Sequence, residues 1–204
     1  PSTRTRISFD IAVKQLGGSS IFLNPEGIHY GKGNETLKDT AKVLSEYADI
    51  IMLRTSSHKN LEEFGKYLNI PIINGLSDQS HPCQVLTDLF SFEEAQGSIS
   101  GKSVAWLGDG NNNMSNSLIE AAGKFDFKLK IGCPSKYKPN KKIMTWAKKN
   151  KANVLVTNNP AEAVKDVDCV MTDKWVSMND KVNKKTKKRS LKKYQVNKQL
   201  MKLA

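Results

Sequence analysis

Apolar positions recur along the chain in two alternating rhythms. Ile7, Ile11, Ala12 and Leu16 fall at helical spacing, and Gly17-Gly18 stops the run. Ser19 to Leu23 then reads as a short buried strand, and Asn24-Pro25-Glu26-Gly27 supplies turn chemistry. The exchange repeats as a helix over 35–47, with Leu37, Ala41, Leu44 and Ala48 on one face, and a strand over 49–53 that ends at Arg54. Helix 61–68, strand 70–74 and helix 85–95 follow. Small residues over 96–101 make a linker. Beyond it come strand 103–107, helix 114–125, strand 127–131, helix 139–149, strand 153–156, a helical turn at 161–164 and strand 168–172. Short apolar runs alternating with helical patterns predict an α/β protein with parallel sheets and helices on both faces. The linker divides it into two doubly wound lobes, 1–98 and 99–204, with the ligand cleft expected between them.

Composition changes this picture little. A chain of 204 residues with 38% hydrophobic content can form one large domain or two small ones. It has no apolar run of about eighteen residues and no signal-peptide pattern at its start, so no membrane partner is expected. Cys83, Cys133 and Cys169 are odd in number and far apart, which suggests neither a disulfide framework nor zinc, but a reduced, cytoplasmic protein. The net charge of +12 is concentrated between Lys181 and Lys193. That run reads either as a nucleic-acid-binding helix or as a solvated helix face. Without interleaved aromatics or a nucleic-acid motif, the solvated face is expected and no nucleic acid is assigned.

Candidate chemistry gathers at element ends. Ser2, Thr3, Arg4, Thr5 and Arg6 directly precede the first helical pattern. Hydroxyls, guanidinium forks and the unpaired N–H groups of a helix start together make a phosphate socket. An ordinary capped helix with two surface arginines is the alternative. Arg54 ends a strand, where open α/β sheets bind ligands, and is either an anion contact or the partner of a local carboxylate. His81 opens another helix with Pro82 at its first turn, and a neutral imidazole there can donate to a carbonyl. Gly108-Asp109-Gly110 looks superficially like a dinucleotide fingerprint. It lacks the third glycine, and Gly132-Cys133-Pro134 supplies no acidic ribose contact, so no nicotinamide cofactor is expected. Asn111, Asn112 and Asn113 offer three amides suited to an amino acid's carboxylate, although helix capping accounts for one or two. Asp173 ends the last strand, where it can pair with an ammonium group or cap the next turn.

Four motifs, Ser2-Thr3-Arg4-Thr5-Arg6, His81-Pro82-Cys83-Gln84, Asp109 to Asn113 and Asp173 to Met178, occur in this order. Together they resemble the aspartate/ornithine carbamoyltransferase family, and the last two resemble its ornithine branch. The resemblance runs over essentially the whole chain. It implies carbamoyl transfer from carbamoyl phosphate to L-ornithine, with no metal or organic cofactor. By resemblance, Ser2, Thr3, Arg4, Thr5 and Arg54 hold the phosphate, and Arg54, His81 and Thr5 polarise the carbonyl. Gln84 reads the carbamoyl amine. Asn113 and Asp173 hold the α-carboxylate and α-amine, and Ser177 and Met178 close over the substrate. Arg6 is expected to brace the fold. Compared with the family, the chain lacks an N-terminal helix and strand and a closing His-Cys-Leu-Pro segment, which implies an internal fragment of a homotrimer. Asn179 stands where the family has glycine. Aspartate or N-acetylornithine as acceptor, a nucleic-acid module and a non-catalytic paralogue are the competing readings.

Overall fold

The computed structural model describes residues 2–24, 35–176 and 183–204. Its elements run α1 (Thr3–Gln15), α2 (Leu37–Tyr47), β1 (Ile51–Arg54), α3 (His58–Tyr67), β2 (Ile72–Leu76), α4 (Pro82–Gln96), β3 (Ser103–Leu107) and α5 (Asn113–Phe125). They continue as β4 (Lys128–Gly132), α6 (Lys141–Lys149), β5 (Val154–Thr157), α7 (Pro160–Val164), β6 (Cys169–Thr172) and α8 (Lys184–Leu191). The expected α/β alternation is present. By compactness the chain divides into two units, between Gly75 and Leu76.

In the first unit β1 and β2 form a two-stranded sheet, and the Ile51 N–H donates to the Pro71 carbonyl at 3.0 Å. Helices α2 and α3 start at Thr36 and Ser57, whose hydroxyls accept from the third N–H groups of their helices. Ala41, Leu61 and Phe64 form a thin core. Helix α1 buries none of its residues. The strand expected over Ser19 to Leu23 does not form, and Ile21 is 86% exposed. An apolar run becomes a strand only when its backbone groups join a ladder, and this one joins neither β1 nor β2.

The second unit holds a four-stranded sheet in the order β5-β4-β3-β6, parallel throughout. Central β3 pairs Val104 with Leu129 on one side and with Cys169 on the other. Its run Val104-Ala105-Trp106-Leu107 is apolar without alternation because both faces are covered. Val104 and Trp106 pack with Leu89 of α4, Leu118 of α5 and Ile143 of α6. Ala105 and Leu107 pack on the opposite face with Ala163 and Val164 of α7. Because α4 and α5 share one core, α4 belongs to this unit by packing.

The three cysteines are free thiols. Burial pushes the Cys133 thiol up to about 11, so it stays protonated at neutral pH and behaves as a small apolar side chain. The described part of the basic run, 183–193, is not uniformly solvated. Lys187, Leu191 and Tyr194 form an inward stripe at helical spacing, and the remaining basic residues of α8 are exposed. Among the described residues no helix is long and apolar enough to cross a membrane.

Candidate active site

The start of α1 is a capped helix end carrying hydroxyl and guanidinium side chains. Ser2 is its N-cap, in extended conformation, and the Ser2 hydroxyl accepts from the Thr5 N–H at 3.4 Å. The Thr5 hydroxyl donates to the Ser2 hydroxyl at 3.2 Å. Thr3 and Arg4 are exposed in the first turn, which contains no acidic residue. The positive end of the helix dipole is therefore uncompensated by its own turn. Arg54 ends β1 and donates from Nη1 to the Thr5 hydroxyl at 3.1 Å, joining two motifs 49 residues apart. Among the described residues no carboxylate forms an ion pair with Arg54. Burial lowers the guanidinium's proton affinity from its ordinary value, the signature of a partly desolvated cation. Arg6 lies over the Phe22 ring, 3.8 Å from its centroid.

In the second unit, three hydrogen bonds tie the loop before α4 to the start of α5. The His81 N–H donates to the Ser117 hydroxyl at 2.8 Å, the Asn113 amide donates to the Ser77 carbonyl at 3.0 Å, and the Asn116 amide donates to the Gln79 carbonyl at 2.9 Å. His81 is the N-cap of α4, and its side chain makes no capping hydrogen bond. Gln84, exposed one turn later, donates from Nε2 to Asp88 at 2.8 Å.

Strand order explains the position of the remaining residues. From β3 the chain steps outward to β4 and β5, then crosses back to β6 on the other side of β3. The carboxyl ends of β3 and β6 therefore flank the topological switch point, where open α/β sheets bind ligands. The turn that leads to Asn113 leaves β3 there, and Asp173 follows β6 there. The three asparagines have separate tasks. The Asn111 side chain accepts from the Asn140 amide, Asn112 caps α5 in a reciprocal pair with Ser115, and Asn113 is held by Ser77. Structural duties thus account for more of the triplet than its sequence suggests, and Asn113, the first residue of α5, is the one tied to the loop before α4.

Glycine is required inside this turn. Gly108 has φ +134°, and a Cβ on Gly110 would lie 2.8 Å from the Tyr137 carbonyl oxygen and 3.0 Å from Cys133 Sγ. The Tyr137 carbonyl is backbone and cannot swing aside. Gly110→Ala is therefore expected to destabilise the fold by about 1–3 kcal/mol, as forced overpacking does. Urea melts of the two proteins measure it.

Asp173 is exposed and accepts the Lys174 N–H at 2.6 Å. Burial pushes the Asp88 carboxyl up from its ordinary value, the Gln84 hydrogen bond opposes this, and the negative charge of Asp173 adds to the rise. Asp88 was not among the residues singled out from sequence. Its signal is its place four residues beyond Gln84, one helical turn along the same face. Ser177, Met178 and Asn179 lie outside the described residues.

The model described as aspartate/ornithine carbamoyltransferase, carbamoyl-P binding domain, matches residues 1–94. The model for the Asp/Orn binding domain of the same family matches residues 100–204. The chain belongs to the aspartate/ornithine carbamoyltransferase family. Among curated relatives, an ornithine carbamoyltransferase of Rhodopseudomonas palustris (strain BisA53) is 48% identical over the whole chain, which spans 64% of that relative. Among solved structures, ornithine carbamoyltransferase from Pyrococcus furiosus superposes with TM-score 0.90 at 40% identity, covering all of this chain and 66% of that one. The anabolic ornithine carbamoyltransferase from Campylobacter jejuni gives TM-score 0.90 at 36% identity, covering all of this chain and 68% of that one.

For a carbamoyltransferase-family chain, the motifs divide by unit. Ser2, Thr3, Arg4, Thr5 and Arg54 lie in the first, and His81, Gln84, Asn113 and Asp173 lie in the second. The family models part over the linker 95–99, whereas compactness parts the chain between Gly75 and Leu76. The difference is α4, which lies almost wholly within the first family match and shares its core with α5.

Proposed function

We propose that the full-length protein transfers the carbamoyl group of carbamoyl phosphate to the side-chain amine of L-ornithine, giving L-citrulline and phosphate. The observation that carries this reading is the bonded frame between α4 and α5. His81, assigned to the carbamoyl group, and Asn113, assigned to the acceptor, are anchored on it by Ser117 and Ser77. Carbamoyl phosphate binding is assigned to residues 1–98 and ornithine binding to 99–204. The family-model limits on either side of the linker support that division.

In this mechanism the N-terminal turn of α1, with Ser2, Thr3, Arg4 and Thr5, holds the phosphate through N–H groups, hydroxyls and a guanidinium. Arg54 joins them. Arg54, His81 and Thr5 donate to the carbamoyl oxygen, and Gln84 accepts from the carbamoyl NH2. Asn113 takes the α-carboxylate of ornithine, Asp173 takes its α-ammonium, and Ser177 and Met178 close over the side chain. The neutral side-chain amine attacks the carbamoyl carbon. An oxyanion forms and is stabilised by the same donors, then the bond from carbon to the bridging phosphate oxygen breaks. The departing phosphate accepts the amine's proton. Catalysis is positioning and charge stabilisation, and the residues present supply it without a cofactor.

The carboxylates of Asp88 and Asp173 favour this acceptor. Aspartate would bring a second carboxylate and call for cationic partners, and N-acetylornithine would arrive without the α-ammonium. The same reading makes the full-length protein a cytoplasmic homotrimer acting in arginine metabolism. A colorimetric ureido assay with carbamoyl phosphate and each acceptor in turn tests the acceptor. Citrulline from ornithine, with the other two at background, is expected. Carbamoyl-aspartate as the main product would overturn the assignment.

A further inference from the structure

We propose that Lys187 is a positioning residue for the acceptor site, acting through Asp109. The inference rests on the reading that Asn113 holds the acceptor's α-carboxylate. Lys187 Nζ lies 2.6 Å from Asp109 Oδ2, and the two side chains are 5% and 7% exposed. Lys187 is the one buried basic residue of α8, whose Lys184, Lys185, Lys188 and Arg189 all face water. Its Nζ also lies 5.6 Å from the ring centroid of Tyr137, whose carbonyl packs against Gly110.

Asp109 is the hub of the turn that delivers Asn113. Its Oδ1 accepts the Asn111 N–H at 2.9 Å, and its backbone carbonyl accepts the Trp106 indole N–H at 3.0 Å. With Oδ2 on Lys187, both carboxylate oxygens are engaged, so the turn is pinned to α8 as well as to β3. The charge matters as much as the geometry. Asp109 places a buried negative charge four residues before an amide that is to receive a carboxylate. Lys187 neutralises that charge from within the protein, where solvent screens it poorly. A fold could be closed at this position by an apolar side chain. An ammonium group there serves the electrostatics of the neighbouring turn.

The test is steady-state kinetics on the full-length protein and four variants, Lys187→Arg, Lys187→Met, Asp109→Asn and the double variant Lys187→Met/Asp109→Asn. Lys187→Met is expected to raise KM for ornithine by about tenfold or more, with KM for carbamoyl phosphate and kcat within about threefold, because it leaves Asp109 uncompensated. Lys187→Arg keeps the charge and is expected to stay within about threefold in every parameter. The double variant removes both charges and is expected to bring ornithine KM back to within about fivefold of the parent. If Lys187→Met does not fold, the double variant carries the test by the same threshold. Equal rises in both KM values, or a lowered melting temperature with ornithine KM unmoved, would reduce Lys187 to a structural residue. A parent protein that makes no citrulline would remove the acceptor reading itself, and the proposal with it.

Discussion

Arg54→Ala is expected to lower kcat for citrulline formation by roughly 10²–10³-fold, the usual cost of removing one donor from an oxyanion-stabilising set. The half-buried guanidinium sits at the carboxyl end of β1, bonded to Thr5 beside the mouth of α1. It is partly desolvated, as its lowered proton affinity records, and among the described residues it has no carboxylate partner. Such a cation gains most when an anion arrives, and gains further when negative charge develops on the carbamoyl oxygen. Arg54→Lys is also expected to lose activity, because an ammonium cannot present two parallel N–H groups to phosphate and carbonyl. The fold should tolerate the alanine, since among the described residues Arg54 makes one side-chain hydrogen bond rather than filling a core. Kinetics and a thermal melt on the same preparations separate the two effects.

Asp173→Asn is expected to act on the other substrate. Its carboxylate is exposed at the end of β6 and anchored by the Lys174 N–H, so it is placed without being buried. Losing one charge-assisted bond to an ammonium is expected to raise KM for ornithine by roughly 10- to 100-fold. The KM for carbamoyl phosphate is expected to hold. A second effect follows from Asp88. Burial, with Asp173 adding to it, holds the Asp88 carboxyl above its ordinary value, so neutralising Asp173 lets Asp88 ionise at lower pH. The acid limb of the ornithine KM profile should therefore move down in the variant. A KM profile against pH measures both consequences in one experiment.

Where the candidate residues sit on the elements was largely legible in the sequence, because they fall where local patterns are strongest. Ser2 before a helical run, Pro82 at a first turn and Asp173 after an apolar strand are boundary signals; Pro82 and Asp173 fall at the predicted boundaries, whereas α1 already starts at Thr3, inside the stretch expected to precede it. Long-range pairing was not legible. Nothing in the chain order shows that Thr5 meets Arg54, or that His81 leans on Ser117. Lys187 was hidden by its neighbours, since one inward lysine in a run of basic residues looks like the rest until Leu191 and Tyr194 reveal the stripe. The run Ser19 to Leu23 misled for the opposite reason. Its composition is that of a strand, but a strand also needs a neighbour, and composition carries no record of one.

A thermal-shift titration with two bisubstrate mimics, phosphonoacetyl-ornithine and phosphonoacetyl-aspartate, tests carbamoyl transfer to ornithine most directly. A ligand that binds only the folded state raises the melting temperature. The account predicts a rise with the ornithine mimic alone, abolished in both Arg54→Ala and Asp173→Ala. A rise with the aspartate mimic alone, or an ornithine response that survives both substitutions, would contradict it.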